Sequence, residues 1–228
     1  MVGKNEFAML KRLLSFFIPV NIHKQHSATS QRLEVTWNNG QLVLDSRNTN
    51  YSYGSLQRIL RKGLQYIGFE RIRGFKNVLV LGVAAGSVIK TLAEEIKFTG
   101  KITGVEIDPA VVEIANKYFG LNRISNCEII VDDAFEFVLK TKEKYDLIII
   151  DIFRDTEMPN FLFEEFWINR INFLLTVNGF ILFNTMVLTK QHQERNMRYR
   201  SCFHSEYSVR MYPKVEDHNE LFTIKKLK

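Results

Sequence analysis

Four short apolar runs in this chain each end in residues able to do binding chemistry. Val78–Leu81 leads into Gly82-Val83-Ala84-Ala85-Gly86-Ser87, and Ile102–Val105 ends on Glu106-Ile107-Asp108-Pro109. Cys127–Val131 ends on Asp132-Asp133-Ala134, and Leu147–Ile150 delivers Asp151, with Arg154, Asp155 and Glu157 shortly after. Small residues in the first loop let the backbone approach a ligand, and a helix starting at its end would offer free N–H groups. A ligand-free strand-to-helix turn would have the same composition. The loop misses the dinucleotide pattern G-x-G-x-x-G, with alanine at its third position and serine at its sixth.

A carboxylate ending the second run, Glu106, can accept hydrogen bonds from both hydroxyls of a ribose. Asp108, just before Pro109, suits a helix N-cap with proline at the first helical position. Asp132 or Asp133 could accept from an adenine amino group, and the other could cap the helix that follows. Asp151 is placed to orient or deprotonate an acceptor, or else to be satisfied by loop N–H groups. In this order the four motifs point to a nucleoside-binding α/β domain. NAD is disfavoured, because acidic groups recur where a second nucleotide would need phosphate contacts.

The elements that must hold these residues alternate β and α from Asn77 onward. Helical spacing occupies Val88–Ile96, Ala110–Tyr118, Ala134–Lys140 and Phe163–Leu175, with a fifth strand at Phe180–Phe183. Nearly pure apolar strands are those covered by helices on both faces, so a Rossmann-like, doubly wound and mostly parallel sheet is expected. After a helix at Gln191–Phe203, the segments Tyr207–Tyr212 and Glu220–Lys225 predict a C-terminal antiparallel strand pair. Upstream, Glu34–Trp37 and Gln41–Asp45 flank Asn38-Asn39-Gly40 and predict a small β-hairpin, followed by a helix over Ser55–Ile67. The expected division is an N-terminal helical segment at 1–30, the hairpin with a lid and helix at 31–76, and the Rossmann-like domain at 77–228.

With 228 residues, 46% hydrophobic and 25% charged, the chain reads as a folded domain with a real core. Its net charge of +6 permits an acidic partner such as RNA, but no interleaved aromatic platform marks a nucleic-acid reader. Two cysteines outside any CxxC pair fit a reducing cytoplasm, and five histidines show no metal-ligand spacing with them. The run Leu13–Val20 is too short for a transmembrane segment and reads as part of an amphipathic helix, with contact at a membrane surface as the alternative.

The stretches VLVLGVAAGSVIKTL, ITGVEIDPAVVEIANKYF, IIVDDAFEFV and YDLIIIDIF resemble class I S-adenosylmethionine-dependent methyltransferases, and within them the spermidine synthase-like branch. GQLVLDSRNTNYSYGSLQ is similar to that family's hairpin and its tyrosine-bearing lid, so the resemblance covers most residues from about Leu33 onward. It implies that Gly82, Val83, Ala84 and Gly86 line the methionine part of S-adenosylmethionine. It further implies that Glu106, with Ile107, holds the ribose and that Asp133, with Ala134, reads the adenine. Asp151 matches the family's base toward an attacking amine, Tyr53 the tyrosine that contacts the acceptor, and Asp155 lies one residue later than a second acceptor-binding aspartate. Two departures stand out. Ala85 occupies the place of an aspartate that helps bind amines, and Ile152–Pro159 replaces a Ser-Asp-Pro-like stretch ending in Gly-Pro.

These departures favour, as the leading expectation, a methyltransferase acting on an unidentified small-molecule acceptor, with an amine as one candidate. The alternative is a polyamine aminopropyltransferase using decarboxylated S-adenosylmethionine. A non-catalytic nucleoside-binding or RNA-interaction protein is the third reading. A homodimer is a possible assembly.

Overall fold

The computed structural model describes residues 3–29, 31–46, 50–52, 55–153, 157–216 and 218–228. The chain opens with helix α1 (Gly3–Leu14) and then forms a four-stranded antiparallel sheet, β1 (Val20–Ser27), β2 (Gln31–Asn38), β3 (Gln41–Ser46) and β4 (Asn50–Ser52), in that spatial order. The expected hairpin is its centre: Asn38 pairs with Gln41, and Asn39 and Gly40 take positive φ in the two-residue turn. The sheet is nonetheless larger than a hairpin. Its first strand falls inside the stretch expected to be helical, because Val20-Asn21-Ile22-His23-Lys24-Gln25-His26-Ser27 carries only two apolar residues and no clean alternation.

Helices α2 (Ser55–Ile67) and α3 (Phe69–Arg73) lead into the main unit: β5 (Asn77–Leu81), α4 (Ser87–Lys90) with a π-helical turn at Thr91–Glu95, β6 (Lys101–Glu106), α5 (Pro109–Phe119), β7 (Cys127–Val131), α6 (Ala134–Lys140) and β8 (Tyr145–Ile150). It continues through α7 (Glu165–Leu174), β9 (Leu175–Met186), α8 (Lys190–Ser201), β10 (Tyr207–Tyr212) and β11 (Asn219–Lys226). Together these form a seven-stranded sheet in the order β10-β11-β9-β8-β5-β6-β7. The pairs β7–β6, β6–β5, β5–β8 and β8–β9 are parallel, and β11 runs antiparallel to both β9 and β10. The expected C-terminal pair is therefore present, with β11 inserted beside β9 rather than hung on the edge. Helix α7 is shorter than its apolar pattern suggested, because Leu175 already pairs with Tyr145 as sheet.

Side chains alternate along each strand, and the core divides accordingly. Val78, Val80, Leu147, Ile149 and Leu182 face Ile59, Leu60 and Leu64 of α2 with Val88 and Ile89 of α4. Leu79, Leu81, Ile148, Ile150, Ile181 and Phe183 face Trp167, Ile168 and Ile171 of α7 with Tyr199 of α8. Each such side chain, fully buried, contributes about 1.5–3 kcal/mol. A third cluster joins Leu33, Val35 and Leu44 of the small sheet to Val111, Ile114 and Phe119 of α5, and Ala85 lies in it. The small sheet thus packs on the first loop and on α5, next to the strand ends of interest. No helix among the described residues is long and apolar enough to cross a membrane.

Candidate active site

From β5 the chain proceeds outward to β6 and β7, then returns to place β8 on the other side of β5. Such a reversal leaves a crevice beyond the carboxyl ends of the strands. The strand-end residues meet there through backbone hydrogen bonds. Gly82 N–H donates to the Val105 carbonyl at 3.0 Å, Asp151 N–H to that of Leu81 at 2.9 Å, and Asp132 N–H to that of Glu106 at 3.1 Å.

The loop after β5 needs its glycines for different reasons. Gly82 has φ +87°, and a Cβ on it would fall 2.1 Å from the Asp151 carbonyl oxygen. Gly86, at φ +79°, sits at the N-cap of α4, and a Cβ there would come 2.7 Å from Leu121 Cδ1. Ala84 also takes a positive φ of 49°, uncommon for a residue with a Cβ. Its conformation is held from β6: the N–H groups of Val83 and Ala84 donate to Glu106 Oε2 at 3.1 and 3.0 Å, and Asp108 N–H donates to Oε1 at 3.1 Å. Burial raises the Glu106 pKa above the ordinary carboxylate value. The Ala84, Asp108 and Val83 donors oppose that rise, and the Asp108 charge adds to it. Ile107, next to it, is exposed.

Asp108 caps α5, accepting from Ala110 N–H at 2.9 Å through Oδ1, while its Oδ2 accepts from the Ser27 hydroxyl of β1. Serine, aspartate and glutamate so link the small sheet to the glycine loop. Asp133 caps α6, accepting from Phe135 N–H at 2.7 Å through Oδ1, and Asp132 Oδ1 accepts from the Asp133 N–H at 2.9 Å. Asp133, with Ala134 beside it at the start of α6, is therefore a cap as well as the expected adenine reader.

Asp151 ends β8 against Gly82. Its Oδ1 accepts from Asn184 Nδ2 at 2.9 Å. Burial pushes the carboxyl up to about 6 from 3.8, with the Asn184 amide pulling the other way. Tyr53 and Asp155, the other expected acceptor residues, lie outside the described residues, as does Arg154. A cavity of about 380 Å³ lined by Lys90, Glu94, Phe98, Arg123 and Asn126 contains none of these carboxylates. It lies toward the opposite sheet edge, where residues 125 and 126 precede β7, and has no part in this site.

Sequence reasoning missed Ser27 and Asn184. Ser27 lies on a strand without a legible pattern. Asn184 follows Phe183 at the end of the fifth apolar run, so the rule that exposed the other four ends applied to it equally.

Residues 59–226 match the family model described as the spermine/spermidine synthase domain. The chain is similar to the polyamine aminopropyltransferase of Vibrio vulnificus, 29% identical over 139 residues, which cover 60% of this chain and 46% of that protein. Its counterpart in Buchnera aphidicola subsp. Acyrthosiphon pisum is 32% identical over 143 residues, 60% of this chain and 49% of that protein. The chain thus spans about half the length of these relatives. In fold it is similar to the spermidine synthase of Thermotoga maritima, with a TM-score of 0.69 at 20% identity, covering 92% of this chain and 73% of that one.

These matches overturn methyl transfer as the leading reading, since the family model and both relatives carry polyamine-synthase or aminopropyltransferase names. Ala85, a residue that argued for a changed reaction, is fully buried in the apolar cluster that joins the small sheet to α5. The family match takes in every strand of the seven-stranded sheet, and the chain belongs to the spermine/spermidine synthase family.

Proposed function

We propose that the chain is a polyamine aminopropyltransferase that takes decarboxylated S-adenosylmethionine as donor and an aliphatic amine as acceptor. The observation that carries this reading is Asp151: a carboxylate on a rigid strand end, touching the glycine loop, with a proton affinity raised to about 6. Near neutral pH it is mostly ionised and still able to take a proton. Glu106, Asp132, Asp133 and Asp151 all lie along one sheet edge, an acidic surround suited to a cationic donor and a cationic acceptor.

The donor supplies a sulfonium-bound propyl carbon. A C–N bond forms to the acceptor nitrogen while the C–S bond breaks and its electron pair stays on sulfur, leaving a thioether nucleoside. Asp151 takes the proton the nitrogen loses, and the Asn184 amide keeps the carboxylate aimed. Glu106 would hold the ribose hydroxyls, Gly82, Val83, Ala84 and Gly86 would line the donor with backbone, and Asp133 with Ala134 would meet the adenine. Tyr53 and Asp155 would contact the acceptor. Most of the rate would come from aligning nucleophile, carbon and sulfur.

The purified protein should form the thioether nucleoside from decarboxylated S-adenosylmethionine with at least one of a panel of diamines, putrescine included. No turnover with any amine, alongside intact nucleoside binding, would leave a binding protein and sink the proposal. Glu106→Ala should weaken binding of the thioether nucleoside about tenfold or more, because charge-assisted hydrogen bonds contribute ~1.5–3 kcal/mol each. Calorimetric titration reads this directly, and unchanged affinity in a folded variant would remove Glu106 from the site.

A further inference from the structure

Asp151 is supported by more than one side chain. Asn184, on β9, is fully buried, and while its Nδ2 donates to Asp151, its Oδ1 accepts from Asn219 Nδ2 at 3.0 Å. Asn219 begins β11 and is itself buried. An ionised carboxylate only accepts hydrogen bonds, so an amide facing it must present its NH₂ and not its oxygen. With its NH₂ turned to Asp151, Asn184 must turn its carbonyl away, and Asn219 supplies the donor that this carbonyl needs. The three residues form a one-way series of donors running from β11 through β9 to β8.

We propose that Asn219 is a positioning residue for Asp151: it locks the Asn184 amide so that only its NH₂ faces the carboxylate. This rests on the reading of Asp151 as the proton acceptor in amine attack. The backbone holds Asn219 firmly, since its N–H donates to the Glu216 carbonyl at 2.8 Å and its own carbonyl accepts from Val215 N–H at 2.9 Å. Glu216 is in turn gripped by Arg58 of α2 through two bonds of 2.8 and 2.9 Å. The next acid along β11, Glu220, bonds to Asn196 Nδ2 of α8 at 2.8 Å. Around Asp151 itself, burial and the Asn184 amide are the two influences on its protonation among the described residues.

Without Asn219, the Asn184 amide is free to rotate and offer its oxygen, which a protonated Asp151 can use and an ionised one cannot. The Asp151 proton affinity should then rise. In Asn219→Leu, with aspartate carboxyl carbons labelled with carbon-13, the Asp151 titration midpoint should move up by about one pH unit from the wild-type value. The acidic limb of the kcat profile should move with it, so that turnover at pH 6 falls several-fold while the donor KM holds. A midpoint unmoved in a folded Asn219→Leu protein would overturn the proposal. Should that variant not fold, the wild-type protein decides: the side-chain NH₂ signals of both Asn184 and Asn219 should shift with the Asp151 midpoint, and an Asn219 signal indifferent to that titration would refute the series. The carboxyl titration needs no turnover. Absence of aminopropyl transfer would therefore count against the proposed function alone, whereas an unmoved midpoint would count against Asn219 alone.

Discussion

Asp151→Asn should all but abolish aminopropyl transfer and at the same time make the protein more stable. Loss of a positioned proton acceptor lowers turnover by roughly 10²–10⁴-fold. The stability gain follows from the direction of the pKa change. Asp151 ionises near 3.8 when unfolded and near 6 when folded, so the native state binds the proton more tightly between those values. Keeping the group ionised in its half-buried position therefore costs stability, and the cost grows as pH rises from 3.8 to about 6 and is complete above that. Asparagine carries no charge and can still accept from Asn184. The variant should gain up to about 3 kcal/mol at pH 8 and nothing at pH 3, a difference of roughly 5–10 °C in Tm at the higher pH. Melting curves at the two pH values check the sign, and a variant less stable than wild type at pH 8 would contradict the burial argument.

Gly82→Ala is expected to damage fold and site together. At φ +87° any side chain is strained, which costs ~1–2 kcal/mol, and this Cβ would also meet the Asp151 carbonyl oxygen at 2.1 Å and its carbon at 2.9 Å. Those are backbone atoms of the neighbouring strand and cannot swing aside. Forcing β5 and β8 apart should bring the total to roughly 3 kcal/mol or more. Gly68 separates the two contributions. Its φ is +104°, yet a Cβ there would touch nothing within 4 Å, so Gly68→Ala should show the backbone strain alone. Urea unfolding of both variants, with nucleoside titration of Gly82→Ala, tests the comparison. Equal losses at the two positions would mean that the clash relaxes without cost.

The parts of this molecule that could be read from residues are those where one strand feeds one loop. The runs at 78–81, 102–105, 127–131 and 147–150 became neighbouring parallel strands, because mostly apolar segments suit a sheet covered by helices; only β7, at the sheet edge with Glu128 exposed, is half-buried. Asp108 as a cap was legible because proline follows it. β1 was not, since its polar residues face partly exposed surroundings and its strand character comes from pairing with β2. The Ser27–Asp108 and Asn219–Asn184 contacts were equally hidden, because they join residues distant in sequence that meet through the packing of the two sheets in the first case and through the order of β9 and β11 in the second. The preference for methyl transfer failed for a related reason. Ala85 was weighed as a chemical substitution, whereas in space it lies in the apolar cluster that joins the small sheet to α5.

The insertion of β11 between β9 and β10 sets an order of events during synthesis. β10 is made first, but among the described residues its one neighbour in the sheet is β11. β10 must therefore wait for residues 219–226 before it can join the sheet, whereas α8 can already pack on β9 through Tyr199 and Phe183. The strands β6 to β9, by contrast, can each dock on a partner already made. A nascent chain that has passed Met186 can thus hold the glycine loop, Glu106 and Asp151 in place while still lacking the Asn219 donor. On the proposed roles, the strand ends that face the donor would be in place before Asp151 receives its full support from β11.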